Sequence, residues 1–284
     1  MADQRRRGAE RMGERVDAAR EAMGERATSA REAMGDRATA AKEAMGDRAT
    51  AAKEAVGDRA TASREAAADA IAAVKPRLRG VSHEWAFFVS LFLGGGLIVA
   101  AKTPRATLAV AIYAVSLSAL FGTSALYHRV NWQRPNARRW MRRLDHSMIF
   151  LLIAGTYTPF ALLVLDGAWA DAVLAVVWAG ALAGAIVEMI WIDAPKWVTA
   201  IVYLSLGWVA VVVFPELWEG LGPAGSLLVA AGGLLYTAGA VVYATQRPDP
   251  NPAVFGYHEV FHLFVIVAAA AQFAAIAFFA LPAQ

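Results

Sequence analysis

The chain has 284 residues, no cysteine, and a hydrophobic fraction of 58%. That fraction lies well above the roughly 45–50% of a soluble domain, so the composition excludes an ordinary soluble globular enzyme. Charge is uneven, because residues 1–75 hold 15 of the 27 Lys and Arg and 14 of the 24 Asp and Glu. This near balance argues against a basic nucleic-acid-binding tail, so no nucleic-acid partner is expected. Without cysteine there is neither a thiol nucleophile nor a Cys-based metal site.

Residues 1–75 form a charged tail built on an eleven-residue repeat, complete at 20–30, 31–41, 42–52 and 53–63. Eleven residues make three turns at about 3.67 residues per turn, so equivalent positions share one helix face. The apolar face is mostly alanine, and the glycine in each unit costs about 1 kcal/mol of helix stability. Three interpretations stay open: a solvated tail that is partly helical or disordered, a helix on a lipid surface, or a coiled coil that self-associates.

The remaining chain, residues 76–284, contains seven segments that are apolar over the length of a membrane-spanning helix. A bilayer core of about 30 Å requires about 20 such residues. Short polar or Pro- and Gly-rich stretches separate the segments. We therefore predict an all-α integral membrane protein, a bundle of seven transmembrane helices at residues 84–101, 106–127, 146–165, 169–191, 197–214, 223–244 and 257–281.

The positions of Lys and Arg between these segments predict the orientation of the bundle. With the N-terminus in the cytoplasm, ten basic residues after the tail face the cytoplasm. Only Lys102 and Arg105 then face the outside. The predicted topology has a cytoplasmic N-terminus and an external C-terminus.

Several polar residues lie at helix ends that this topology places at one depth in the membrane. The second helix ends with Ser124 and His128, the third opens with Asp145, and the seventh opens with His258 and His262. Since chain direction alternates, all three ends face the cytoplasm. Residues four apart on a helix project from one face about 6 Å apart, which suits the last two histidines to one metal ion. Polar groups within a span are costly, so they are functional candidates by default.

His128, His258 and His262 together offer three imidazole nitrogens, a ligand set typical of a catalytic zinc site with an open fourth position. We therefore predict a metal cofactor, Zn²⁺ or another divalent metal that binds imidazole, since residue types alone do not distinguish them. Asp145 is predicted to hold or deprotonate a water molecule at the metal, and Ser124 to orient a ligand or a substrate oxygen. These two residues are the predicted catalytic residues.

Other polar residues near the same surface are given no part in this chemistry. His146 is left as a neighbour without an assigned role. His83, at the start of the first span, is expected to be an interfacial side chain that reaches the lipid headgroups. Three acidic residues are expected to be solvated: Glu188, Asp249 and Glu259.

Four stretches of the body resemble the hemolysin III family, the bacterial branch of the progestin and adipoQ receptor superfamily. They are SALYHR at 124–129, LDHSMIFLLIAGTYTP at 144–159, YLSLGW at 203–208 and FGYHEVFH at 255–262. The resemblance covers about residues 81–281, and the repeat tail lies outside it.

This resemblance implies a seven-helix bundle in a bacterial cell membrane, with a zinc ion near the cytoplasmic surface. The family's zinc-binding histidines correspond to His128, His258 and His262, its aspartate near the water to Asp145, and its motif serine to Ser124. The superfamily includes adiponectin receptors with ceramidase-like activity and alkaline ceramidases. Bacterial members have been linked to haemolysis and to membrane-lipid homeostasis. The expected function is zinc-assisted hydrolysis of a lipid amide or ester, with membrane lipids as partners and a lipid substrate inside the bundle.

Two alternatives belong to other functional classes. A zinc-stabilised sensor or receptor-like protein would have no turnover, and a fourth protein ligand on the metal would favour it. A pore or cytolysin would need a continuous polar path, yet the outer halves of the predicted spans hold few ionisable residues. The pore is therefore the weaker alternative.

Overall fold

The computed structural model describes residues 76–283 and eleven positions of the tail. Those eleven positions are helical. The same apolar position in each full repeat is exposed, at Met23, Met34, Met45 and Val56. The rest of the predicted repeat lies outside the described residues, and its three interpretations stay open. The chain divides into two compact units, Met1–Ala73 and Val74–Gln284, and the architecture below is that of the second.

Residues 76–283 fold as a succession of helices and contain no β-strand. Proline stands in the first turn of several of them, where its missing N–H sacrifices no helical hydrogen bond. A π-helical segment (Ile276–Ala280) and a short 3₁₀ turn (Leu281–Ala283) end the described chain. The α-helices are α1 (Val81–Ala100), α2 (Pro104–Arg129), α3 (Pro135–Leu163), α4 (Gly167–Ile190), α5 (Lys196–Gly207), α6 (Phe214–Thr245) and α7 (Tyr257–Ala275).

Six of these helices are long and apolar enough to cross a membrane: α1, α2, α3, α4, α6, and α7 with its extension. The prediction of an all-α membrane protein is therefore confirmed. Helix α5 is shorter, and with the 3₁₀ turn Trp208–Val211 it reaches about 26 Å, less than the roughly 30 Å of a bilayer core. The predicted span at 197–214 thus forms a shorter apolar helix. Seven crossings and the sides on which the two termini lie stay predictions.

Helix α6 is interrupted where the sequence predicts the start of a span, at residue 223. The interruption is a kink, with Gly222 at φ 67° and ψ 177° and Pro223 directly after it. Glycine adopts this backbone conformation readily, and proline supplies no N–H to the helical ladder. A helical segment therefore starts at Pro223, as predicted, and residues 214–221 form a further helical segment before the kink.

Neighbouring helices in the chain pack side by side, and α1 also contacts α7, which closes the bundle. Helices α2 and α3 are the most enclosed spans. Glycines allow close crossings between them and their neighbours. A Cβ at Gly155 of α3 would collide with Ser116 of α2, and one at Gly184 of α4 would collide with the Phe150 ring. The two helices that carry Ser124, His128 and Asp145 therefore lie inside the bundle.

Candidate metal centre

The last turn of α2 carries His128, and the segment preceding α1 crosses directly over it. At Gly80 the chain has φ 79°, a conformation that favours glycine. A Cβ there would lie 2.6 Å from the His128 Cβ, so a larger residue would displace the histidine. Ser124 lies one turn earlier on α2, and both side chains are buried.

The first turn of α7 is held by contacts with the same segment. Two backbone hydrogen bonds of 3.1 Å join residues 77–78 to residues 253–254. Glu259 accepts a hydrogen bond from the Gly256 N–H at 2.7 Å and pairs with the Arg79 guanidinium. The expectation that Glu259 is solvated is wrong, since it is 2% exposed. These contacts fix the start of α7 beside the end of α2.

Three histidines converge where these two helix ends meet. The Nε2 atoms of His128 and His258 are 3.1 Å apart, and the ligand atoms of both and of His262 all lie within 4.8 Å of one another. Two nitrogens bound to one tetrahedral zinc would be about 3.3 Å apart, close to the first separation. Rotation of the His262 side chain can bring its ring nitrogen to a similar distance from the other two. The predicted convergence is confirmed, and the three imidazoles fit a divalent metal such as zinc.

Asp145 of α3 lies beside these histidines. Its Oδ2 is 3.6 Å from the His128 Nε2, and its carboxyl group interacts with the Ser124 hydroxyl. Among the described residues, the group able to hold a metal contains the three histidines and does not include this aspartate. The two predicted catalytic residues therefore adjoin the ligand set, and their catalytic roles stay predictions.

His83 is also part of this cluster. It is 3% exposed, and its ring stacks on His262 with centroids 3.7 Å apart and an interplanar angle of 9°. Among the described residues, neither ring nitrogen of His83 has a hydrogen-bond partner of normal geometry, although the His262 backbone lies close to the ring. The expectation of an interfacial side chain is wrong, because packing of α1 against α7 encloses this position.

His146 takes part in a different contact, which links α3, α4 and α5. Its Nδ1 lies 3.3 Å from Glu188 Oε2, and the Tyr203 hydroxyl lies 3.3 Å from Glu188 Oε1 and 3.2 Å from the His146 carbonyl. Glu188 is 4% exposed, so its predicted solvation is also wrong. Asp249 is exposed as expected and accepts a hydrogen bond from the Tyr257 N–H.

A cavity of about 630 Å³ extends from the histidines into the bundle. Ser124, Asp145, His258 and His262 line it, and most of its remaining wall is apolar. The volume lies within the roughly 300–1,000 Å³ of small-molecule sites. The arrangement can hold an apolar chain with a polar group beside the histidines.

The sequence is similar to a family of bacterial membrane proteins. The family model described as "Haemolysin-III related" matches residues 71–273, a range that contains every residue of the candidate centre. "Hemolysin-3" of Bacillus cereus is 34% identical over 180 residues, which cover 63% of this chain and 78% of that protein. "Hemolysin-3 homolog" of Bacillus subtilis (strain 168) is 30% identical over 168 residues, covering 59% and 75% respectively.

Proposed function

The chain belongs to the haemolysin III family, and we propose that it is a zinc-dependent hydrolase of lipid amides or esters, ceramidase-like, that acts in membrane-lipid homeostasis. One observation carries the proposal: three histidines with ligand atoms within 4.8 Å, beside a carboxyl group, at one end of a largely apolar cavity. The proposal includes seven crossings, a cytoplasmic N-terminus and an external C-terminus. The site then lies near the cytoplasmic face, where water is available.

Each side chain of the centre has a role in this proposal. His128, His258 and His262 hold the ion as neutral imidazoles. A bound zinc ion would lower the pKa of a water molecule and polarise the substrate carbonyl. Asp145 acts as the general base that takes a proton from the attacking water and returns it to the leaving group. Ser124 holds the carboxyl group of Asp145 in place.

The cavity wall supports a lipid as the substrate. Apolar side chains around the volume match a hydrocarbon chain and keep bulk water away from the carbonyl carbon. Membrane lipids are therefore the proposed partners. The enclosed centre would meet them through the bundle interior, while water reaches it from the cytoplasmic end.

A non-catalytic, zinc-stabilised sensor is the second candidate function. The burial of the centre favours it, because a metal held by the three histidines would pin α2 to α7, and the stacking of His83 on His262 brings α1 against the same centre. A fourth protein ligand on the metal would identify this case. A cytolytic pore is the weakest candidate, since the cavity wall is largely apolar.

Turnover of a fluorescent ceramide by the purified protein tests the proposal. In Asp145→Asn, we expect zinc to be retained and the rate to fall about 10²–10⁴-fold, the usual contribution of a general base. The matched control is Asp193→Asn, because Asp193 is exposed and bonds only to Arg139 and Arg142 among the contacts described. Turnover unaffected in Asp145→Asn would refute the general-base role. A zinc-loaded wild type that hydrolyses no lipid amide or ester would favour the sensor.

A further inference from the structure

Two buried polar groups lie along the cavity beyond the histidines. Tyr236 of α6 and Gln272 of α7 both line the cavity. The Tyr236 hydroxyl and the Gln272 Oε1 are buried, and neither has a hydrogen-bond partner among the residues that the structure describes. Gln272 as a whole is 5% exposed. Buried polar atoms are nearly always paired in proteins, so two unpaired ones beside a cavity point to a ligand.

The packing of α6 against α7 brings these two side chains to within about one helical turn of each other along the bundle. A Cβ at Gly239 would lie 3.0 Å from the Phe264 Cβ, and one at Gly232 would lie 3.1 Å from the Gln272 Cδ. The two helices are therefore antiparallel, with Tyr236 about one turn from the level of Gln272. Side chains tilt towards the N-terminus of their own helix. In antiparallel neighbours, this tilt brings the Tyr236 side chain towards the level of Gln272.

The neighbouring groups determine which hydrogen bonds Tyr236 and Gln272 can still form. The Gln272 Nε2 donates to the Val229 carbonyl at 3.1 Å. Because a carbonyl oxygen can only accept, the amide nitrogen must face it, and Oε1 remains as an acceptor. The Tyr236 hydroxyl supplies a donor. The pair is thus complementary to a group that both donates and accepts a hydrogen bond.

The distance from the histidines indicates which part of a ligand reaches this pair. Gln272 follows His262 by ten residues, which corresponds to about 15 Å along an α-helix. Both residues line the same cavity. A lipid whose scissile group lies beside the histidines would therefore place part of its hydrocarbon chain at Gln272.

We propose that Tyr236 and Gln272 form a second polar subsite, which binds a hydroxyl group on the hydrocarbon chain of the lipid. A hydroxyl both donates and accepts, so it satisfies the Gln272 Oε1 and the Tyr236 hydroxyl together. A charged group would need a countercharge, and neither residue supplies one. The subsite rests on the proposed function for the position of the lipid head, and it narrows the substrate class to lipids with a hydroxylated chain.

Competition binding to the full-length protein in detergent tests the subsite. A fluorescent fatty acid is displaced by fatty acids of one chain length that carry a hydroxyl at successive carbons, and by the parent without a hydroxyl. We expect one hydroxyl position to bind about tenfold more tightly than the parent. Tyr236→Phe and Gln272→Met should each abolish this preference while keeping affinity for the parent. Tyr113→Phe is the matched control, because its hydroxyl has its own acceptor, the Ala269 carbonyl at 3.5 Å.

Two results would overturn the subsite. One is a wild-type protein with no hydroxyl preference at any position, and the other is a preference that survives in both variants. Either result would mean that the two groups bond to each other or to a water molecule. Since binding requires no turnover, a protein that shows the preference but hydrolyses nothing would refute only the hydrolase proposal. Turnover without the preference would refute only the subsite.

Discussion

The two ends of the cavity are built from some of the same helices but differ sharply in polar content. The histidine end gathers side chains from four helices, namely His83, His128, Asp145, His258 and His262. Farther along the cavity, the wall is mostly apolar. The buried polar groups of Tyr236 and Gln272 interrupt this apolar wall.

Polar side chains inside an apolar bundle need hydrogen-bond or charge partners, and the two ends of the cavity differ in the partners that they offer. At the histidine end, helix termini and connecting segments meet, so backbone groups and paired charges such as Arg79 and Glu259 are available as partners. In mid-span the backbone is already bonded within the helices, and an isolated polar side chain there must find a partner or a ligand. A dense polar cluster is therefore stable where helix ends meet and not in mid-span.

Removing one partner of the buried ion pair should give the largest effect on stability. Arg79→Met leaves the Glu259 carboxylate buried and unpaired, so we expect the free energy of unfolding to fall by about 3 kcal/mol. Unfolding in detergent by a denaturant titration measures this change.

A surface cluster of three charged residues provides the control for that measurement. Arg139 and Arg142 both bond to Asp193 and hold its pKa below the usual value, yet the carboxyl group is exposed. Arg139→Met should therefore change stability far less than Arg79→Met, because water replaces the lost contact. Equal effects of the two variants would mean that the histidine end does not depend on its buried pair.

The role of His83 can be separated into stacking and ligation by two substitutions. His83→Ala removes the ring that packs on His262, and we expect metal affinity to fall about tenfold, as for other groups that support a ligand. His83→Phe keeps the stacked ring and should bind metal nearly as well as the wild type. Metal titration with a competing chelator measures both affinities. An equal loss in the two variants would instead identify His83 as a ligand.

The sequence predicted the helical segments well, because apolar length is a local property, and chain alternation predicts the depth of their ends. From these alone, Ser124, His128, Asp145, His258 and His262 could be assigned to one level of the membrane. Their convergence in the structure needed only that α2, α3 and α7 be neighbours.

What the sequence could not provide is the direction in which each residue faces around its helix axis. His83, Glu188 and Glu259 are predicted to lie exposed near a membrane surface, but contacts between distant parts of the chain bury them. Glu259, for example, meets Arg79 across 180 residues of sequence. The α5 region was difficult for a different reason, since the apolar sequence continues across residues 212–213, which separate its 3₁₀ turn from α6.

Metal content per chain, measured by plasma mass spectrometry on protein purified in detergent, tests the central claim most directly. We expect about one zinc ion in the wild type, and almost none in His128→Ala or His258→Ala. His146→Ala should keep its metal, because His146 contacts Glu188 rather than the three histidines. A wild-type protein without metal, or histidine variants that retain it, would contradict the metal centre and the hydrolase built upon it.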